Sequence, residues 1–254
     1  MPARPRLRIR AQHRIIAVSS LSFELLPECD SCARAATPLK PKLKLKLKLS
    51  MPNNSHLEFT PAELRKVRSL KNPHGIQKFL NDMPYHLATS AWSPRRVLRE
   101  RTSHCLEGAL FAAAALRVLG YPPLVIDLEA EQDTDHVIAV FRHHGHWGAV
   151  ANSNYSGCRY REPVYRSLRE LTISYFEDYF NLRGERMLRR FSRPVNLARF
   201  DSQHWTTSEK DVWFIPEYLL EINHYRLLTP RQEKNLNRLD RRSYDSGLHG
   251  HRWE

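Results

Sequence analysis

The ordering of apolar and polar positions changes abruptly near residue 51. Before it, Lys40 to Leu49 is a Lys-Leu alternation broken only by Pro41, and Arg4, Arg6, Arg8 and Arg10 alternate with other residues. Low-complexity stretches of this kind bury no core of their own, so residues 1–50 are expected to be a disordered basic extension. After it, helix punctuation becomes regular. Thr60-Pro61-Ala62-Glu63 is a capping box with proline at the first helical position, and Asn72-Pro73 and Ser93-Pro94 repeat the cap-then-proline start. These signals predict helices over 61–70, 73–82 and 94–101. A fourth runs from Cys105 to Gly120. Its Leu106, Leu110, Phe111, Ala112 to Leu116, Val118 and Leu119 are apolar nearly all round, the mark of a helix buried on most sides.

Strand patterns follow over 124–128, 136–141 and 147–152. The last two are joined by the loop Arg142–His146, with Gly145 where a left-handed residue is wanted. If Arg142 and His146 flank the turn as a pair, His136 faces Asn152, and Asn154 is the diagonal neighbour on the same side. A register one residue away would put both amides on the other face. Further on, Pro163 is expected to open a long amphipathic helix through about Asn181. Val212–Ile215 reads as a short strand. Thr229-Pro230-Arg231-Gln232 is a capping box that opens a basic C-terminal helix and tail over 231–254. The pattern as a whole predicts an α+β domain over residues 51–230, with a buried central helix on an antiparallel sheet and flanking helices.

Charge sharpens the division. Of a formal net charge of +13, residues 1–50 supply +8, from 11 Lys and Arg against 3 Asp and Glu. The basic balance is therefore mostly a property of the extension. This speaks against a nucleic-acid-binding role for the domain. No apolar run is long enough to cross a bilayer; the stretch Ala109–Leu116 is closed at once by Arg117. Ser19, Ser20, Ser22 and Glu24 interrupt the one segment that resembles a signal peptide, Ile15–Leu26, and Met51 is an alternative point for translation to start. The four cysteines, Cys29, Cys32, Cys105 and Cys158, form no repeated framework. A reducing, cytoplasmic setting is expected, and Cys29 and Cys32 lack the second pair a metal site would need.

Cys105 is the main candidate for chemistry. It falls in the first turn of a buried helix, where unpaired N–H groups and the helix dipole favour a thiolate. Read alone it is equally a small core residue. His136 opens a strand after Asp135, a position suited to a base at the sheet's edge. Asn152 or Asn154 would accept from one imidazole nitrogen and leave the other for the thiol, the Cys-His-Asn logic of nucleophilic catalysis. The sequence does not choose between the two amides. Gln77, upstream of the cysteine, is a weaker candidate for an oxyanion donor. His143, His144 and His146 crowd one loop without further ligands of fixed spacing. Tyr175, Phe176, Tyr179 and Phe180 have the spacing of a buried helix face.

The order of a helix opening with Ser103-His104-Cys105, a strand opening with Asp135-His136-Val137, and a strand carrying Trp147 and ending near Asn152 resembles the core of the transglutaminase-like superfamily, which is related in fold to papain-type cysteine proteases. The segments from Cys105 to Leu116, His136 to Val140 and Trp147 to Ala151 are also similar to a microbial branch of that class. The match covers about residues 100–181. The resemblance implies a cysteine enzyme acting on an amide or ester carbonyl of a peptide, protein or small amide, with no cofactor and no metal. Leu106 stands where transglutaminases carry an aromatic residue, Ile138 where they often carry Trp, and Asn where they usually have Asp. Hydrolysis, deamidation or another acyl transfer is therefore expected ahead of protein cross-linking. A non-catalytic binding module of the same fold and a basic nucleic-acid-binding protein are the rival expectations.

Overall fold

Local capping starts the first three helices. Thr60 Oγ1 accepts from the Glu63 N–H while Glu63 accepts from Thr60 N–H, Asn72 Oδ1 accepts from Gly75 N–H, and Ser93 Oγ from Arg96 N–H. Each cap is followed by proline, whose missing N–H costs nothing there. The computed structural model describes residues 58–253 of the chain, all within the compact unit Pro52–Glu254. The expectations for residues 1–50, Cys29 and Cys32 included, lie outside the described residues. The helices so capped are α1 (Pro61–Arg68), α2 (Pro73–Asn81) and α3 (Pro94–Glu100), followed by α4 (Cys105–Val118).

The architecture is α+β. Strands β1 (Leu124–Ala130), β2 (His136–His143), β3 (His146–Val150), β4 (Arg161–Tyr165), β5 (Leu188–Ser192) and β7 (His224–Arg226) form one sheet in the order β4-β3-β2-β1-β5-β7. The short β6 (Val195–Asn196) pairs with β1, and the pairings are antiparallel. Period-two alternation divides β2 between two cores. Val137, Ala139 and Phe141 face α4 and the N-terminal helices. Ile138 and Val140 face α5 (Leu168–Ile173), Tyr175, Tyr179 and Leu188. The helix α4 is buried from Leu106 to Leu116 and packs on β2 and α3, as its all-round apolar pattern requires. No helix among the described residues is long and apolar enough to cross a membrane.

Four expectations are corrected. The β2–β3 hairpin is one residue tighter than expected: His143 pairs with His146, and the turn is His144-Gly145, both with positive φ (46° and 85°). A two-residue turn of this hand matches the twist of the strands. It shifts the register, so Ala139 faces Val150, and Asn152 falls on the face opposite to His136. Pro163 does not open a helix. It sits in the edge strand β4, where an absent N–H is tolerated. Ser167 then caps the short α5. The run from Val212 leads into a helix, α6 (Phe214–Glu221), because Ile215 and Leu219 bury one face at a spacing of four. The C-terminal helix is two: α7 (Pro230–Lys234) and α8 (Arg241–Gly247). The second packs on the domain, with Gly247 against the Phe180 ring and Tyr244 Oη donating to Leu182 O.

Candidate active site

The turn that delivers Cys105 is held from three sides. Ser103 O accepts from Asn152 Nδ2 (2.7 Å) and from His86 N–H (3.1 Å), and Asn152 Nδ2 also reaches Ser103 Oγ (3.0 Å). Glu107, one turn into α4 and fully buried, reaches back to the His104 N–H (3.2 Å), closing the helix start. The same carboxylate accepts from Ser90 Oγ (2.6 Å), Trp92 N–H (3.2 Å) and His86 Nδ1 (3.1 Å). Burial works against its charge, but the charge on His104 and these hydrogen bonds together hold its pKa below the ordinary carboxylate value. Gly108 completes the junction: a Cβ there would stand 2.6 Å from the Asn152 Cβ.

Cys105 is partly exposed, and its Sγ lies 3.9 Å from the Asp135 carbonyl oxygen. Burial of the sulfur opposes ionisation. Hydrogen bonds and charge from His104 and His136 outweigh it and hold the thiol well below the ordinary value. His104 is pushed up to about 9: burial opposes its charge, while the Cys105 sulfur, Glu107 and the Ser90 carbonyl (2.9 Å from Nε2) favour it. Tyr85, bridged through its backbone to Ser103, interacts electrostatically with the Cys105 sulfur. Burial, and the nearby sulfur, push its phenol far above the ordinary value.

His136 is buried at the start of β2. Its Nε2 donates to the Cys158 carbonyl oxygen (3.1 Å), which leaves Nδ1 for the thiol. The ring is packed by Tyr175 (centroids 6.4 Å apart) and Tyr179 (6.1 Å). Each phenol pins the backbone next to the site: Tyr179 Oη donates to Thr134 O (2.5 Å), two residues before His136, and Tyr175 Oη to Arg159 O (2.7 Å), one after Cys158.

No family model and no curated protein matches the chain.

Of the side chains singled out from sequence, Cys105 and His136 meet; the amides do not join them. Asn152 is committed to Ser103, on the face the tighter hairpin gives it. Asn154 holds the backbone of Arg252, accepting its N–H (2.8 Å) and donating to its carbonyl (2.9 Å). The orienting acceptor for His136 is a main-chain carbonyl instead. Gln77 is no oxyanion donor: its amide is spent on both backbone groups of Ala151 and on Asn81 Oδ1. The second cysteine, Cys158, is buried with its Sγ donating to Asp178 O (3.2 Å), and burial raises its pKa strongly. Among the described residues no group of three or more His, Cys, Asp or Glu side chains is arranged to hold a metal ion. His143 bonds Tyr121 Oη at an exposed corner.

Sequence reasoning passed over Tyr85, His104 and Glu107. For Glu107 the signal was present: a carboxylate three residues after His104 at a helix start has capping-box spacing. Tyr85 reaches the site through a bridge between its own backbone and that of Ser103, a pairing between segments distant in sequence.

Proposed function

We propose that the chain is a cysteine enzyme of transglutaminase-like type that transfers or hydrolyses the acyl group of an amide or ester. The observation that carries this reading is the Cys105 sulfur at the start of a buried helix, beside the imidazoles of His104 and His136, which lower its pKa, with His136 fixed by the Cys158 carbonyl. The thiolate attacks the substrate carbonyl carbon, forming the C–S bond as the carbonyl π electrons move to oxygen. The oxyanion lies by the Cys105 N–H and the Tyr85 hydroxyl. As the tetrahedral adduct collapses, the C–N or C–O bond breaks and imidazolium at His136 gives its proton to the leaving group. Water, or an amine, then attacks the thioester while His136 takes its proton, and the thiolate is regenerated. His104, tied to the Glu107 carboxylate, keeps a positive charge beside the sulfur through neutral pH.

The binding-module reading calls for a His136 turned away from Cys105, which the hydrogen bonding does not favour. The nucleic-acid reading calls for unmatched basic charge on the domain. Instead Arg95, Arg117, Arg161, Arg189 and Arg190 are each paired with a carboxylate. The partners proposed are a peptide or small amide, in a cytoplasmic setting where both described cysteines stay free.

The direct test is an acyl-enzyme trap. With p-nitrophenyl acetate, wild type should show a burst equal to the enzyme concentration, and mass spectrometry should find one acetyl group on Cys105. His136→Ala should slow the burst by about 100-fold, and Cys105→Ala should abolish it. Steady nitrophenol release with Cys105 unmodified would refute the proposal.

A further inference from the structure

The chain's own segment 251–253 lies against Asn154, Tyr155 and Tyr85, the last of which is bridged to Ser103, two residues before Cys105. Asn154 treats one residue of it as a neighbouring strand would: Oδ1 accepts the Arg252 N–H (2.8 Å) and Nδ2 donates to the Arg252 carbonyl (2.9 Å). An amide paired to both the N–H and the C=O of one residue recognises backbone whatever that residue's side chain; Asn154 Nδ2 also lies 3.1 Å from His251 Nε2. The side chains add preference. Arg252 Nη1 donates to the Tyr85 carbonyl oxygen (3.1 Å), and the His251 ring meets the Tyr155 ring edge-on at 5.2 Å and Trp253 at 4.5 Å. Tyr85, whose carbonyl is held in this way, is the residue bridged through its backbone to Ser103. The segment comes back to this place from α8 through a turn at Gly250 (φ 74°) and a bond from His251 N–H to Leu248 O, while Ser156 fixes the end of α8 through Ser246 O and Gly247 O. Two buried nitrogens nearby, Arg159 Nε and His251 Nδ1, have no partner, so this packing leaves hydrogen-bonding capacity unused.

We propose that Asn154, Tyr155 and the Tyr85 carbonyl form a peptide-binding subsite beside Cys105, filled here by His251–Trp253 and suited to an extended peptide with arginine at the position of Arg252. This deepens the reading of Cys105 as an acyl-transfer nucleophile and rests on it for the subsite's purpose. The subsite would align a peptide substrate, and the segment acts as a strap that competes with it. Being tethered, the strap has the advantage of a high effective concentration, so a free peptide displaces it poorly.

The test uses the full chain carrying Arg252→Pro, which removes both the N–H taken by Asn154 and the guanidinium. The probe is the capped, fluorescein-labelled hexapeptide Leu-His-Gly-His-Arg-Trp, the sequence of residues 248–253. Fluorescence anisotropy should show binding to the variant at least about tenfold tighter than to wild type. The same peptide with proline in place of arginine should not bind, nor should the parent peptide bind once Asn154→Ala is added. Access to the sulfur is read by a bulky fluorescein maleimide, whose rate at Cys105 should rise in the variant and fall again with peptide present. Iodoacetamide, small enough to pass the strap, should react with Cys105 equally fast in both chains, which also checks that the variant folds. Equal binding of the arginine and proline peptides, or no binding to the variant, overturns the subsite even if Cys105 proves an activated thiolate. Peptide binding beside a Cys105 with the reactivity of an ordinary thiol upholds the subsite and removes the enzyme reading instead.

Discussion

The two imidazoles at the Cys105 sulfur are held by unlike means. His136 is aimed by a main-chain carbonyl and two tyrosine rings; His104 is tied electrostatically to Glu107. A main-chain carbonyl does not titrate, so the contact that aims His136 does not depend on the ionisation of its partner. Asp135, next in sequence to His136, is different. Its carboxyl is pushed up to about 7 by burial first, and by the neighbouring charges of Asp127 and Glu129, from an ordinary value of 3.8. Because the folded value is the higher one, ionisation costs stability: nothing below about 3.8, progressively more up to about 7, and the full amount above. Asn keeps the acceptor that Ala130 N–H uses (2.8 Å) and cannot ionise. Asp135→Asn should therefore stabilise the protein at pH 8 by about 1–3 kcal/mol, after allowing for solvent screening, with the gain shrinking towards zero near pH 4. Urea unfolding of both chains at the two pH values measures this. A gain that is equal at both would contradict the origin assigned to the shift.

At the scale of elements, the junction of α4 with the end of β3 sets where the nucleophile stands. Gly108 lies against the Asn152 Cβ at a distance no side chain fits, and Asn152 in turn holds Ser103. Gly108→Ala gains about 1 kcal/mol in helix propensity, yet should lose about 1–3 kcal/mol net because Asn152 must move. It should also slow Cys105 alkylation, since the Ser103 anchor moves with Asn152; a more stable variant with unchanged reactivity would remove Asn152 from this role. The helix starts were legible in sequence because a cap is a local device: Thr60, Asn72 and Ser93 each act within three residues of themselves. The hairpin register was not, because a two-residue turn needs His144 as well as Gly145 at positive φ, a conformation that histidine does not announce. That single residue moved Asn152 to the other face. Cys105 and His136 stood out because residue type and element end coincide there. The group that orients His136 is a peptide carbonyl, and every residue but its surroundings would offer the same one. Pro163 was misread because a proline that starts helices elsewhere in the chain is also admissible on an edge strand.

Over the whole molecule, one sheet separates two cores, and the site sits at the start of its interior strand β2, where both cores come together. The helix α4 comes from the core that holds Phe111 and Trp205; the ring of His136 is packed from the other, by Tyr175 and Tyr179. Neither core alone brings sulfur and imidazole together, which makes their coupling the property to measure. The measurement is a pH series of iodoacetamide alkylation, resolved by mass spectrometry for Cys105 and Cys158, in wild type, His136→Ala and His104→Ala. The account predicts that the Cys105 midpoint lies well below the value of about 8.5 for a free thiol, while Cys158 stays inert in the folded chain. Either histidine substitution should raise the midpoint. A Cys105 midpoint near 8.5 that neither substitution moves would contradict the account.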